Sequence, residues 1–202
     1  MKIDNIRFYG NDNVDDFRLK RQLKGTKEMG KMTLKPAYQP SPYGTEKPFS
    51  FSQWLKEWGF LSLSKTKRLL DPWFRFKLSG AKFEDKKYEE DREKLLDYYN
   101  SLGYRDVQIV EDTLLTITKT GNINVDIKVD EGRKYYFGNI TWKGNAKYSD
   151  SILNNILGIS KGDIYNLSAL NRRLGKEASQ DGGDISGLYM DDGYLFFRAE
   201  PV

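Results

Sequence analysis

One ordered set of motifs, occurring twice along the chain, constrains the fold more than any other feature. The segment Ile3-Asp4-Asn5-Ile6-Arg7-Phe8-Tyr9-Gly10-Asn11 returns 134 residues later as Phe137-Gly138-Asn139-Ile140-Thr141-Trp142-Lys143-Gly144-Asn145. The same offset aligns Asp16 with Asp150, Leu19 with Leu153 and Leu23 with Leu157. Further on, Gly80-Ala81-Lys82-Phe83 matches Gly162-Asp163-Ile164-Tyr165 at an offset of 82. Tyr99-Asn100-Ser101-Leu102-Gly103-Tyr104 matches Tyr189-Met190-Asp191-Asp192-Gly193-Tyr194 at 90. Chance similarity rarely keeps such an order, so the chain holds two copies of one supersecondary unit. The shifting offsets put about 52 extra residues in the first copy before Gly80, and 8 extra in the second around residues 175–184. The second copy also stops early, since 27 residues separate Gly103 from Asp130 and only 9 follow Gly193. It is expected to be truncated, and the chain to be a segment of a longer protein.

Local patterns set the content of each copy. Ile6/Phe8 and Ile140/Trp142 are period-two pairs running into Gly-Asn, a strand that ends in a tight turn. Asp15 or Asp16, and Ser149, are placed to cap a first helix carrying Leu19/Leu23 or Leu153/Leu157. Arg92, Leu95, Leu96 and Tyr99 share one face of a second helix, with Gly103 at its left-handed end. Residues 107–119 read as a strand, Thr120-Gly121-Asn122 as a turn, and Ile123, Val125, Ile127 and Val129 as the apolar face of a last strand. The fold class is therefore α+β: tandem β-α-α-β-β modules, each a small three-stranded sheet with two helices on one face and water on the other. Residues 1–132 form the first module, with an insert at about 24–79, and residues 133–202 the second. With its last strand missing, the second should leave Ile140, Trp142, Phe196 and Phe197 on an open surface.

Composition narrows the chemistry. Cysteine and histidine are both absent, which removes thiol nucleophiles, disulfides, the usual zinc ligands and the imidazole base. The acidic run from Glu84 to Asp91 sits at a helix N-terminus, where carboxylates favour the macrodipole. Asp181-Gly182-Gly183-Asp184 lacks the ligand pattern of a calcium loop, and Gly158-Ile159-Ser160-Lys161-Gly162 lacks the Gly-Lys-Ser/Thr of a phosphate loop; the latter ends a helix. No catalytic residue, metal site or cofactor is expected. Net charge is only +4, yet residues 24–80 hold 11 Lys/Arg against 4 Asp/Glu, so one basic segment sits on a scaffold that is not basic.

A β-α-α-β-β unit with Gly-Asn closing strand one and Tyr-x(3)-Gly-Tyr closing helix two resembles the POTRA (polypeptide-transport-associated) repeat. The motifs that carry it are Ile140-Thr141-Trp142-Lys143-Gly144-Asn145, Gly162-Asp163-Ile164-Tyr165-Asn166 and Tyr99-Asn100-Ser101-Leu102-Gly103-Tyr104. The likeness is closest to the periplasmic repeats of BamA-type outer-membrane-protein assembly factors; it covers residues 1–23, 80–132 and 133–202 and omits the insert. It implies a non-enzymatic polypeptide-binding scaffold in the Gram-negative periplasm. Its implied partners are unfolded outer-membrane proteins and assembly-machine lipoproteins, with a covalently continuous C-terminal β-barrel. POTRA domains of secretion or cell-division systems keep the fold and change the role. KH-type nucleic-acid-binding modules share β-α-α-β, but they need Gly-x-x-Gly between their helices, which neither copy has there; no nucleic-acid partner is expected.

Two sets of binding residues follow. In a POTRA-like sheet the last strand is central, leaving the first strand and Thr113, Leu114, Leu115, Thr116, Ile117 and Thr118 at the edges. An unpaired edge accepts an extended chain by β-augmentation; this stretch has high β-propensity and no internal charge. The insert holds ten aromatics, including three of the four Trp. Around Pro36, Pro40, Pro42, Gly44 and Pro48 it reads as irregular loop. Beyond that, Phe51, Trp54, Leu55 and Trp58 fall at helical spacing, and Phe74, Phe76 and Leu78 alternate as a strand would. Trp54, Trp58, Trp73 and Phe74 are its candidate partner-binding residues.

Overall fold

The structure, a computed structural model, describes residues 1–33, 41–44, 49–75, 82–117, 120–177 and 183–201. The expected alternation at Phe76 and Leu78, and the prolines Pro36, Pro40 and Pro48, lie outside them. Two compact units are present: residues 1–96 with 108–131, and residues 97–107 with 132–202. In chain order the elements are β1 (Ile3–Tyr9), α1 (Asp16–Gln22), β2 (Lys31–Met32), α2 (Phe51–Lys56), α3 (Leu63–Leu70), β3 (Phe74–Arg75), α4 (Asp85–Ser101), β4 (Gln108–Thr116), β5 (Ile123–Asp130), α5 (Asp150–Leu157), α6 (Leu167–Leu174) and α7 (Ile185–Asp191).

In the first unit the main sheet has the order β1-β5-β4. Strand β5 is central, parallel to β1 and antiparallel to β4. Ile3, Ile6 and Phe8 share a face with Ile123, Val125 and Ile127, and all six are buried. Helix α1 starts at Asp15, whose carboxylate accepts the Phe17 N–H at 2.7 Å, and buries Leu19. Helix α4 buries Tyr88, Leu95 and Tyr99 along one stripe, the spacing of an amphipathic helix.

The other face corrects the expectation of a solvated surface. Asn124 and Asp126 are as buried as the apolar residues between them. Asp126 receives both Arg7 Nε and Arg7 Nη2 at 2.6 Å, a bidentate pair between β5 and β1. The insert reaches this face. Arg75 Nη2 donates to Asn5 Oδ1 at 3.2 Å, and the Tyr43 ring stands edge-on to Tyr9 at 5.7 Å. Alternation of polar residues marks a second face without saying whether water or protein covers it.

Asp91, inside the acidic run, is also buried. Its carboxylate accepts the backbone N–H groups of Lys24, Gly25 and Thr26 at 3.1, 2.8 and 2.6 Å. That clamps to α4 the point where the insert leaves the core of the repeat.

The repeat is structural at the level of single hydrogen bonds. Asn11 Nδ2 donates to Val14 O and Asp16 Oδ1, and Asn145 Nδ2 to Tyr148 O and Asp150 Oδ1. The Tyr99 and Tyr104 rings meet edge-on at 5.9 Å, as do those of Tyr189 and Tyr194. An isolated bridge joins Lys2 to Lys82, and another joins Tyr136 to Ile164.

Two differences set the second unit apart. Its second helix is split: α6 keeps the offset of 82 from the first half of α4, and α7 the offset of 90 from the second half. The extra residues therefore fall inside the helix. Gly175 ends α6 at φ +81°, Asp184 caps α7 through the Gly187 N–H, and Ser186 Oγ donates to Leu174 O at 2.6 Å, holding the halves end to end. Leu174 and Ile185 still share one core with Leu153, Leu157 and Tyr189.

Second, no strand of two or more paired residues forms among the described residues of this unit. The segment with Ile140 and Trp142 resembles β1 in sequence but joins no ladder among the described residues. The expected open surface is smaller than the sequence implies. Ile140, Trp142 and Phe197 pack against the helices, Phe197 stacked on Tyr189 at 3.7 Å, while Phe196 is 96% exposed.

Gly10 and Gly144 register the contrast. Both have φ near +78°, but a Cβ on Gly10 would lie 2.2 Å from Val129 O of β5, whereas one on Gly144 would meet nothing within 4 Å. Gly10→Ala should therefore cost the roughly 1–2 kcal/mol of a left-handed non-glycine residue and the collision besides; Gly144→Ala should cost only the former. Exchange protection at Ile127 and Val129 for the first variant, and at Leu153 and Leu157 for the second, measures the difference, and equal losses would contradict it.

Asp91 makes a second prediction. Burial works against its charged form, but hydrogen bonds from Lys94 and from the Thr26 and Gly25 N–H groups outweigh that and hold the carboxyl below its ordinary range. A carboxyl depressed by folding stabilises above its unfolded value of about 4 and gives that up as pH falls through the lower folded value. Protection factors at Gly25 and Thr26 should fall on acidification below about pH 4. Asp91→Asn should lower them by the equivalent of about 2 kcal/mol at neutral pH and flatten the acid response.

Candidate functional site

The two outer strands of the first sheet differ in what their free sides meet. On β1 the outward groups are taken by the insert. The Ile6 N–H donates to Glu28 Oε1 at 2.9 Å, Ile3 O accepts the Met29 N–H at 2.8 Å, and Asp4 O accepts Arg75 Nη1 at 2.7 Å. Glu28 in turn pairs with Lys20 at 3.0 Å and with Arg75 at 3.4 Å, and Arg75 with Asp71. Burial opposes the charge on Arg75, yet Asp71 and Glu28 raise its pKa beyond the ordinary guanidinium value. The strip β2–β3 brings these groups in, through Lys31 paired with Arg75 and Met32 with Phe74.

Strand β4 is different. Apart from its ladder with β5, no hydrogen bond involves the backbone of 109–116 among the described residues. The Ile117 N–H donates inward to Asn122 O at 2.7 Å, and partners along this ladder are Leu115 with Asn124 and Thr113 with Asp126. Because N–H and C=O alternate sides along a strand, Leu114 and Thr116 turn their backbone groups outward. Near its start the strand carries a register shift between Ile109 and Glu111, and acidic Glu111 and Asp112 follow, devices that discourage edge pairing. Beyond Asp112 no such guard stands on the described residues.

Side chains define the rim of this edge. Leu114 pairs with Val125 and so lies on the helix-covered face, yet it is 44% exposed. Next to it, Asp112 accepts the Tyr88 hydroxyl at 2.8 Å and lies 3.6 Å from Arg92 Nε. Burial first, then the bond to Asp112, raises the Tyr88 pKa well above the ordinary phenol value, so this hydroxyl stays a donor. On the opposite face Thr113 Oγ1 meets the Tyr43 hydroxyl at 2.5 Å. The arrangement is an exposed edge four to five residues long, with Leu114 on the face of α4 and the Thr113 hydroxyl on the face of the insert. Of the residues expected there, Thr113, Leu114, Leu115, Thr116 and Ile117 are contiguous on it; Thr118 lies outside the described residues.

The insert residues do not form one cluster. Trp54 is half-buried, its Nε1 donating to Thr66 Oγ1 at 3.2 Å. Trp58 follows α2 in the left-handed region at φ 54° and is 67% exposed; Phe60 bridges the two rings at 6.3 and 5.5 Å. Trp73 and Phe74 lie at β3, where Trp73 O accepts the Thr33 N–H at 2.9 Å. Sequence reasoning missed Glu28, Arg75 and Asp91. Glu28 is one charge among polar residues, Arg75 one on the polar side of an apolar alternation and Asp91 one of an acidic run, and no local pattern separates any of them from a solvated charge.

Comparison with known proteins completes the picture. The relative BamA of Neisseria meningitidis serogroup B, named an outer membrane protein assembly factor, is 28% identical over 105 residues, which is 52% of this chain and 13% of that protein. A second relative, from Treponema pallidum, is 26% identical over 123 residues, 61% of this chain and 14% of its own length. The chain thus matches only about a seventh of the length of either. The crystal structure of Haemophilus influenzae BamA POTRA3-5 superposes with a TM-score of 0.47 at 21% identity, covering 87% of this chain and 52% of that one. The family model for POTRA, described as surface antigen variable number repeat, matches residues 1–132 and again 135–202. Two successive matches over nearly the whole length place the chain in the POTRA family.

Proposed function

We propose that this chain is a periplasmic polypeptide-binding scaffold of an outer-membrane β-barrel assembly machine, working by binding and not by catalysis. Client strands, or strands of partner lipoproteins, add to the outer edge of β4 by β-augmentation. The observation that carries this reading is the asymmetry of the sheet: β1 has its outer groups capped by Glu28, Met29 and Arg75, while Leu114 and Thr116 present theirs without a partner among the described residues. Main-chain pairing supplies affinity with little sequence demand, which suits a carrier of many barrel strands. The name of the Neisseria relative as an assembly factor supports the setting, and so does membership of a family of transport-associated repeats. In the whole protein a C-terminal β-barrel would follow such repeats.

Peptides of alternating apolar and polar residues, drawn from barrel strands, should shift the amide resonances of Leu114 and Thr116 on titration. Leu114→Pro and Thr116→Pro each delete an outward N–H while leaving the β5 ladder its donors, a position where an edge strand tolerates proline. Each should weaken binding about five- to tenfold, the worth of one hydrogen bond of about 1 kcal/mol plus edge distortion. Protection of the Asn124 and Asp126 amides should persist. Shifts confined to other strands, or proline variants that bind like the parent, would refute the edge assignment.

A further inference from the structure

We propose that the hairpin of α2 and α3 is an interfacial anchor that seats on an anionic phospholipid surface. The hairpin has its own small core. Gly59 lies flat on the Trp54 indole, so close that a Cβ there would sit 2.1 Å from Trp54 Cδ1. Thr66 takes the indole N–H and donates to Gly59 O at 3.1 Å, and Ser50 with Gln53 forms a reciprocal cap at the start of α2. Phe51 stacks on the Trp54 ring at 5.3 Å and Phe60 meets it edge-on at 6.3 Å, each with its other side open. Phe51, Leu55, Trp58, Phe60, Leu61 and Leu63 are left facing outward, with Leu61 at 77% and Leu63 at 84% exposure.

The form of this patch favours a bilayer over a protein groove. A groove reads a ridge along one helix, at i, i+3, i+4 and i+7. Phe51, Trp54, Leu55 and Trp58 keep that spacing in sequence, but Trp54 is taken up by the hairpin core and Trp58 lies beyond the end of α2 at φ 54°. The exposed residues therefore run on into the tight turn 59–61 and the first residue of α3 as a blunt tip. Tryptophan, phenylalanine and leucine at such a tip, with lysines around it, suit the boundary between headgroups and acyl chains. Among the described residues no helix is long and apolar enough to cross a membrane, so the tip would lie in the interface.

Charge selects the lipid. Between Phe49 and Leu70 there are four basic residues, Lys56, Lys65, Lys67 and Arg68, against the single acid Glu57, which Lys65 neutralises at 3.0 Å. Arg68 reaches Asp15 at 3.4 Å and Lys67 stands 5.8 Å over the Phe17 ring, so α3 is tied to α1 and the tip is held on the repeat. With Glu57 paired to Lys65 and Asp15 to Arg68, Lys56 and Lys67 leave a net +2 beside the apolar tip, complementary to an anionic headgroup layer.

The test uses the full 202-residue chain and large unilamellar vesicles of phosphatidylethanolamine with phosphatidylglycerol, against vesicles of phosphatidylcholine. The expected result is co-sedimentation with the anionic vesicles and a blue shift of tryptophan emission, weakened severalfold on phosphatidylcholine or in high salt. The exposed double variant Trp58→Ser/Leu63→Ser should reduce partitioning at least tenfold while leaving exchange protection in β5 unchanged. Thr116→Pro should leave it untouched, which separates this inference from the edge assignment above. No partitioning, partitioning equal on both lipids, or partitioning indifferent to the double variant would each overturn it. So would vesicles left unbound while a purified protein partner is lost on the same substitutions.

Discussion

The parallel pairing of β1 with β5 is the contact on which the first module rests. Its strands are more than a hundred residues apart in sequence, and parallel neighbours cannot be joined by a tight turn, so side chains must set their register. On one face Ile6 and Phe8 lie beside Val125 and Ile127. On the other, Arg7 and Asp126 make a buried two-pronged pair. A one-residue slip would carry the apolar set to the polar face and leave two buried charges unpaired, a state worth about 3–5 kcal/mol of destabilisation. The ion pair therefore contributes more to choosing the register than to net stability, since a buried pair roughly offsets its own desolvation.

Keeping that pair dry is where the insert enters. A two-layer module would leave Arg7, Asn124 and Asp126 in water, but here Arg75 and Tyr43 come over from the insert. A long insertion costs little chain entropy when its ends are fixed, because closure depends only weakly on length. Asp91 fixes one end on α4, and the Lys20, Glu28, Arg75 and Asp71 network fixes the interior on β1. One consequence is functional. By filling the hydrogen-bonding side of β1, the insert removes one of the two edges that an isolated three-stranded sheet exposes, so in the proposed reading strand addition runs along β4 alone.

Signals written within a few residues were legible in the sequence. The cap at Asp15 or Asp16, the cap at Ser149, the Gly-Asn turns and the left-handed glycine at 103 follow from local chemistry, while the central position of β5 comes from the POTRA resemblance. Glu28, Arg75 and Asp91 were not legible, because a charge is solvated or buried according to what another part of the chain brings to it. Asn124 and Asp126 misled for the same reason. The resemblance names β4 as an edge, and propensity and charge mark Thr113 to Thr118 as its least guarded stretch, but which of its residues face outward required the Ile117 to Asn122 hydrogen bond to set the phase.

The second unit shows how far local signals go without a distant partner. Its Asn145 turn, Ser149 cap and Tyr189–Tyr194 pair reproduce those of the first almost bond for bond. Even an extension inside the second helix is absorbed, because Leu174 and Ile185 on either side of it join one core, and Ser186 satisfies a carbonyl that the break would orphan. The sheet is another matter. Helices close their own hydrogen bonds, whereas each strand needs its neighbour for every one. Trp142 and Phe197 consequently pack on the helices by side chain alone, and Gly144 keeps the left-handed turn of Gly10 with no strand for it to clear. In this repeat, then, helices and turns are local properties of each copy, while the sheet forms only where β1 and β5 are brought side by side.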